Sequence, residues 1–279
     1  MQGIGLAYRA KEHKIWKRSK FNRMRDLREK LNDPKYLPSL AELGRVFPIV
    51  DASVKFATDA EKERQNERWE KYVGDPGFMK REIISKEYVK KLGDYLIGRI
   101  NDLGAATILE LGAGDGRLAH FLRERFASVG QTRIQYLAVD NQSGARGEEE
   151  SGGEPPLFPV EEMDVVEALN KYSPTIVIVA WMPIGTDWTK AIRATKSVKE
   201  YVLIGHPYDE VCGGRWETWG IDKNNLHAGE LAPYADDGFS IEELNEVSKE
   251  QLSFIARSAH PSKTISFTLL PTTVEKKVI

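Results

Sequence analysis

The sequence predicts an α/β protein built on a doubly wound, mostly parallel sheet and preceded by an N-terminal helical extension. Two observations predict it. Residues 107–125 (TILELGAGDGRLAHFLRER) run a short apolar strand into a glycine-rich turn and then an amphipathic helix. Apolar runs then alternate with helical stretches as far as Gly205, the pattern of strands joined by crossover helices.

Length and composition agree with one large domain carrying an appended segment. At 279 residues the chain exceeds the size at which a single core becomes self-sufficient. The division falls into residues 1–78, a basic and helical extension, and residues 79–279, the α/β domain. Forty basic and 42 acidic residues nearly cancel, so no global field recruits nucleic acid or a membrane surface. The single cysteine, Cys212, leaves no intrachain disulfide or Cys-rich zinc site, and no metal site is expected. It favours a reducing compartment. No apolar run approaches the ~20 residues needed to cross a bilayer. The expectation is a soluble, cytoplasmic protein with no membrane partner, organelle targeting remaining open.

Residues 1–30 are rich in Lys and Arg, with Tyr8, Trp16 and Phe21 interspersed. Such a segment could be a solvated helix, an arm docking a protein or RNA partner, or a targeting peptide; Glu12, Asp26 and Glu29 fit the last poorly. Residues 32–57 contain three prolines and read as short irregular pieces. From residue 58 to residue 100 the chain turns helical, with a break at Gly74, Pro76 and Gly77. In its second half Ile83, Ile84, Tyr88, Val89, Leu92, Tyr95, Leu96 and Ile100 recur at helical spacing and bury one face.

In the turn itself Gly112, Gly114 and Gly116 follow Glu110 as E-x-G-x-G-x-G, where the missing Cβ atoms let the backbone bend and approach a ligand. A dinucleotide site would read G-x-G-x-x-G and offer a helix N-terminus to a pyrophosphate. Here Asp115 stands in the turn, and an acid disfavours phosphate. A second strand, residues 134–139 (IQYLAV), ends in Asp140. Residues 157–169 carry Asp164, and residues 174–185 (PTIVIVAWMPIG) form an apolar strand stopped by Trp181 and Pro183. Taken singly, each has a plainer reading: a loop for the glycines, a strand-end acid for Asp140, a helix N-cap for Asp164, a core ring for Trp181. The four in this order carry more.

Together they resemble the class I S-adenosylmethionine-dependent methyltransferases over about residues 79–270. That resemblance implies a seven-stranded Rossmann-like sheet, closed by an antiparallel pair at residues 239–247 and 263–270. It implies that Glu110, Gly112, Gly114, Asp115 and Gly116 form the cofactor turn, that Asp140 holds the ribose hydroxyls, that Asp164 meets the adenine amino group, and that Trp181 walls the cofactor or faces its sulfonium. The cofactor has no phosphate but carries an ammonium and a sulfonium, so carboxylates beside the turn suit it. Lys80, Arg81 and Ser85 could touch its methionine carboxylate.

Ligands of open parallel sheets bind outside the carboxyl ends of the strands. That rule selects Trp181, Met182 and Pro183 after the fourth strand, and His206 and Asp209 after the fifth. It also selects Trp216, Glu217 and Trp219 in a connection long enough to be a binding loop. His206 is suited to act as a base where the nucleophile must lose a proton, or else is a loop histidine bonded to backbone. The expected activity is methyl transfer to an unidentified small-molecule or protein acceptor. The alternatives are a non-catalytic scaffold of the same fold, or an RNA methyltransferase using the basic arm. Residues 141–156, rich in Gly and Glu, are expected to form a surface loop.

Overall fold

The computed structural model describes residues 25–33, 35–51, 53–73, 82–104, 106–141, 156–208, 211–253 and 261–271. They form two compact units, one within residues 1–79 and one within 80–279. Most of the basic segment, Lys80, Arg81, Asp209 and residues 142–155 lie outside the described residues.

In the first unit residues 25–31 are helical, followed by α1 (Leu40–Val46), a 3-10 turn (Pro48–Val50) and α2 (Asp59–Val73). Helix α1 corrects the expectation of irregular chain over residues 32–57. Ser39 and Glu42 form a reciprocal capping box that satisfies backbone N–H groups at its start. Phe47 stacks on Tyr72 at 4.5 Å and meets Trp69 edge-on at 5.4 Å, so the otherwise polar α2 buries an aromatic corner.

The second unit opens with β1 (Glu82–Ile83) and α3 (Lys86–Leu103). The predicted helix therefore begins later than its periodicity suggests. Ser85 is its N-cap and accepts from the Tyr88 N–H, which leaves Ile83 in a strand and Ile84 outside the helix. Then follow β2 (Ala106–Leu111), α4 (Arg117–Ser128), β3 (Ile134–Asp140), β4 (Glu161–Glu162), α5 (Val165–Tyr172), β5 (Ile176–Ala180), α6 (Thr189–Ala194) and β6 (Glu200–Gly205). The chain closes with α7 (Pro233–Asp236), β7 (Phe239–Glu243), α8 (Asn245–Ser248), β8 (Leu252–Ser253) and β9 (Lys263–Leu269). The sixth predicted strand thus stops at Glu243 and gives way to a helical turn.

Seven strands make one sheet in the order β4-β3-β2-β5-β6-β9-β7. All neighbours pair parallel except β9, which runs antiparallel to both β6 and β7. Alternate residues face opposite layers. Leu109, Leu111, Val139, Val177, Val179, Tyr201 and Leu203 pack with Val165, Ala168 and Leu169 of α5 and Ile192 of α6. On the other face Tyr88 of α3 bonds Thr264 of β9, and Tyr95 and Arg99 of α3 bond Glu200 of β6. Strand order reverses between β2 and β5, where β3 and β6 lie on opposite sides. Ligands of such sheets bind at that point. Separately, β1 and β8 pair antiparallel as a two-residue ribbon.

Candidate functional site

The glycine turn lies at the carboxyl end of β2, beside the reversal. Gly112 and Gly116 have φ of +67° and +76°, in the left-handed region that favours glycine. A Cβ on Gly116 would stand 2.6 Å from Val160, and one on Gly112 would stand 2.9 Å from the benzo ring of Trp188. Beyond Gly114, in contrast, the Cβ direction meets nothing within 4 Å among the described residues. The turn is thus packed at both ends and open in its middle.

The structure brings three of the predicted carboxylates to this turn. The half-buried Asp140, ending β3, accepts the Gly114 N–H through Oδ2 at 2.9 Å. Asp115 pairs with Arg117 at 2.9 Å and accepts its backbone N–H. Glu110 is 2 % exposed and accepts the Tyr136 hydroxyl at 2.8 Å. Burial pushes its carboxyl up to about 7; the Tyr136 hydrogen bond and Arg123 oppose that rise, and Asp115 and Asp140 add to it. A cation entering the turn would relieve this clustering of negative charge, whereas a phosphate would aggravate it.

The fourth carboxylate is placed differently. Asp164 is exposed and caps α5, its side chain accepting the Val166 N–H at 2.9 Å. That is the plainer of its two sequence readings. Ser85 likewise serves as a buried cap, accepting the Tyr88 N–H.

At the ends of β5 and β6 the predicted residues form a second, buried polar cluster. Trp181 is 8 % exposed and holds φ of +56°, an uncommon conformation for a side chain of that size. Its N–H bonds the Ile204 carbonyl and its indole N–H donates to Glu82 at 3.2 Å. Its ring lies 5.2 Å from His206. His206 is fully buried; its Nε2 is 3.0 Å from the Ser253 hydroxyl and its backbone N–H donates to the Cys212 sulfur. It therefore stands inside the protein, away from solvent and bonded to a hydroxyl, not at an exposed surface. Trp181 is turned toward the ribbon, to Glu82, and to His206.

Glu82 was not among the predicted site residues. It keeps some solvent contact, yet burial pushes its carboxyl up to about 8, opposed by hydrogen bonds from Trp181, Ser262, Gln251 and the Leu252 N–H. A helical reading of residues 79–100 conceals it, although the β-branched pair Ile83-Ile84 followed by a Ser N-cap is a signal for strand, then helix.

The long connection after β6 is held against the loop after β5. Asp187 Oδ1 accepts from Thr189 and from the Thr218 hydroxyl at 3.3 Å, and Gly213 N–H bonds the Met182 carbonyl. Trp219 is buried and donates to the Cys212 carbonyl, whereas Trp216 stacks on His227 at 4.2 Å. Pro183 and Glu217 are exposed.

No family model and no curated protein matches this sequence. Solved structures similar to it include the methyltransferase domain of bacterial CtHen1 (12% identity, TM-score 0.36, covering 65% of this chain and 100% of that one). Another is the magnesium protoporphyrin IX methyltransferase of Synechocystis PCC 6803 with bound S-adenosylmethionine (14%, 0.34, 66% and 80%). A third is an S-adenosylmethionine-dependent methyltransferase of Clostridium acetobutylicum ATCC 824 (12%, 0.37, 66% and 92%). Counting from β2, the sheet runs third, second, first, fourth, fifth, seventh, sixth, with only the seventh strand reversed. By that order the chain has a doubly wound, mostly parallel, Rossmann-like sheet of seven strands.

Proposed function

We propose that this protein is an S-adenosylmethionine-dependent methyltransferase acting on a small-molecule or protein acceptor. The observation that carries the proposal is the acid-flanked turn at the sheet's reversal, with open space beyond Gly114, Asp140 fixed to its N–H, and Glu110 buried behind it. A sulfonium nucleoside fits these residues because it brings positive charge and two ribose hydroxyls to carboxylates and bare backbone.

When bound, the cofactor supplies a methyl group on a positively charged sulfur. Asp140, an acceptor-only group when ionised, takes the ribose hydroxyls. Glu110, Asp115 and Asp140 favour the cationic end electrostatically. The protein's main contribution is alignment, which can supply ~7 to 11 kcal/mol. The burial of His206 and its bond to Ser253 favour a reaction that relies on that alignment and not on an exposed base.

Calorimetry with S-adenosylmethionine tests the proposal. Binding is expected, with at least about a tenfold loss in Asp140→Ala, and no binding by the wild type at millimolar ligand would overturn it. Transfer of a tritiated methyl group into fractionated lysate then separates protein, RNA and small-molecule acceptors.

A further inference from the structure

Among the described residues the three most exposed large apolar side chains are Leu226 at 77 %, Ile184 at 68 % and Leu231 at 67 %. All three lie on the two loops that leave the carboxyl ends of β5 and β6. One exposed leucine is ordinary, but several on linked loops mark a surface that a partner covers. The β5 loop also reaches the glycine turn, since the edge of its Trp188 ring stands 2.9 Å from where a Gly112 Cβ would be.

Contacts within and between the loops hold these side chains in one region. The Asp222 carboxylate accepts the Leu226 and His227 N–H groups at 2.9 and 3.0 Å, and the Glu230 N–H donates to the His227 carbonyl, so residues 222–231 fold back on themselves. Trp216 stacks on His227 at 4.2 Å and ties this segment to the start of the connection. That start is bonded to the β5 loop on both sides of Ile184, from the Gly213 N–H to the Met182 carbonyl and from the Thr218 hydroxyl to Asp187.

The charge of the region is one-sided. Over residues 211–237 the exposed Glu217, Glu230 and Asp236 and the half-buried Asp222 outnumber Arg215 and Lys223, while Asp237 is matched by Arg193. An acidic surface repels RNA and anionic lipid. It also repels itself, which disfavours an isologous contact between two copies. Side chains that protrude this far do not enclose a small molecule, whose sites are concave.

We propose that these two loops dock the methyl acceptor, and that the acceptor is a protein presenting a basic segment with apolar side chains. The proposal rests on the cofactor reading above and deepens it by choosing a protein over a small molecule. Acidic groups around exposed leucines offer such a segment both complementary charge and apolar contact.

The test follows the fluorescence anisotropy of a labelled short peptide made of Lys and Leu at helical spacing. Wild type is expected to bind it, less tightly as salt rises, and Leu226→Ser/Leu231→Ser to bind it about tenfold or more weakly, with S-adenosylmethionine affinity unchanged. Glu217→Lys/Asp236→Lys should weaken this peptide and tighten its Glu–Leu counterpart, which decides the matter if the leucine variant fails to fold. No binding by wild type, equal binding by the variants, or equal binding of Lys–Ser and Lys–Leu peptides would overturn the docking surface. In tritiated methyl transfer into lysate, label is expected in protein retained by a cation exchanger, and less of it with the leucine variant. Label confined to small molecules or RNA would overturn the choice of acceptor and leave the cofactor reading intact, whereas no binding of S-adenosylmethionine by the wild type would overturn both.

Discussion

Gly112 carries two demands at once, a left-handed backbone and a bare Cα under an indole. Gly112→Ala therefore meets strain in the backbone and a clash with the Trp188 ring edge, which together should cost about 2–4 kcal/mol. A lowered midpoint in urea unfolding would show it. Glu110 makes a different prediction. With its carboxyl up near 7 in the free protein, a bound cation favours the ionised form, so S-adenosylmethionine should bind several-fold more tightly at pH 8 than at pH 6. Glu110→Gln should remove that dependence, as measured by calorimetry at the two pH values. Sequence made Glu110 and Asp140 legible because each lies at or next to the end of a strand beside the glycine turn. It did not single out Trp188 from the other tryptophans, since nothing local tells which indole reaches back to a turn some 70 residues earlier.

Among the elements, α3 is fastened to the sheet by a buried charge. Glu200 is fully buried at the start of β6 and bonded by Arg99 at 2.5 Å, Tyr95 at 2.6 Å and Ser266 at 2.7 Å. Removing Arg99 strands that carboxylate, and because Arg99 keeps partial solvent contact, Arg99→Met should cost about 2–4 kcal/mol, near or below the range for a buried pair. Chemical denaturation would measure it. Ser39→Ala, which breaks the α1 capping box, should cost only about 1 kcal/mol. The strand, turn and helix at residues 106–128 were legible because their signals are contiguous. The ribbon was not, because two-residue strands carry no periodicity and their pairing is set by contacts remote in sequence. Helix α1 was overlooked for another reason: the prolines around it outweighed the Ser39–Glu42 signature.

Across the molecule, two raised carboxyls each make a contribution to stability that falls as pH rises. Glu82 and Glu110 are raised from 4.5 to about 8 and about 7. Below pH about 4.5 both are protonated folded or unfolded, and above their folded values both are ionised in either state. Their contribution to stability is therefore full at low pH and lost as pH rises from about 4.5 to 8. Urea unfolding at pH 5 and pH 8.5 should show a smaller difference in Glu82→Gln than in wild type. The sheet's order was legible only through the family resemblance, since hydrophobic pattern identifies strands without saying which are neighbours. Its mostly parallel pairing and its closing reversed strand agree with that resemblance.

The β1–β8 ribbon joins Glu82 to Ser253, almost opposite ends of the second unit's chain. Closing so long a loop is entropically expensive for two residue pairs, so the ribbon can be secured only once the sheet already holds its flanks near each other. In refolding, protection of the Trp181 indole N–H, which Glu82 receives, should accordingly lag behind protection of the β2 and β5 amides in pulse-labelled hydrogen exchange.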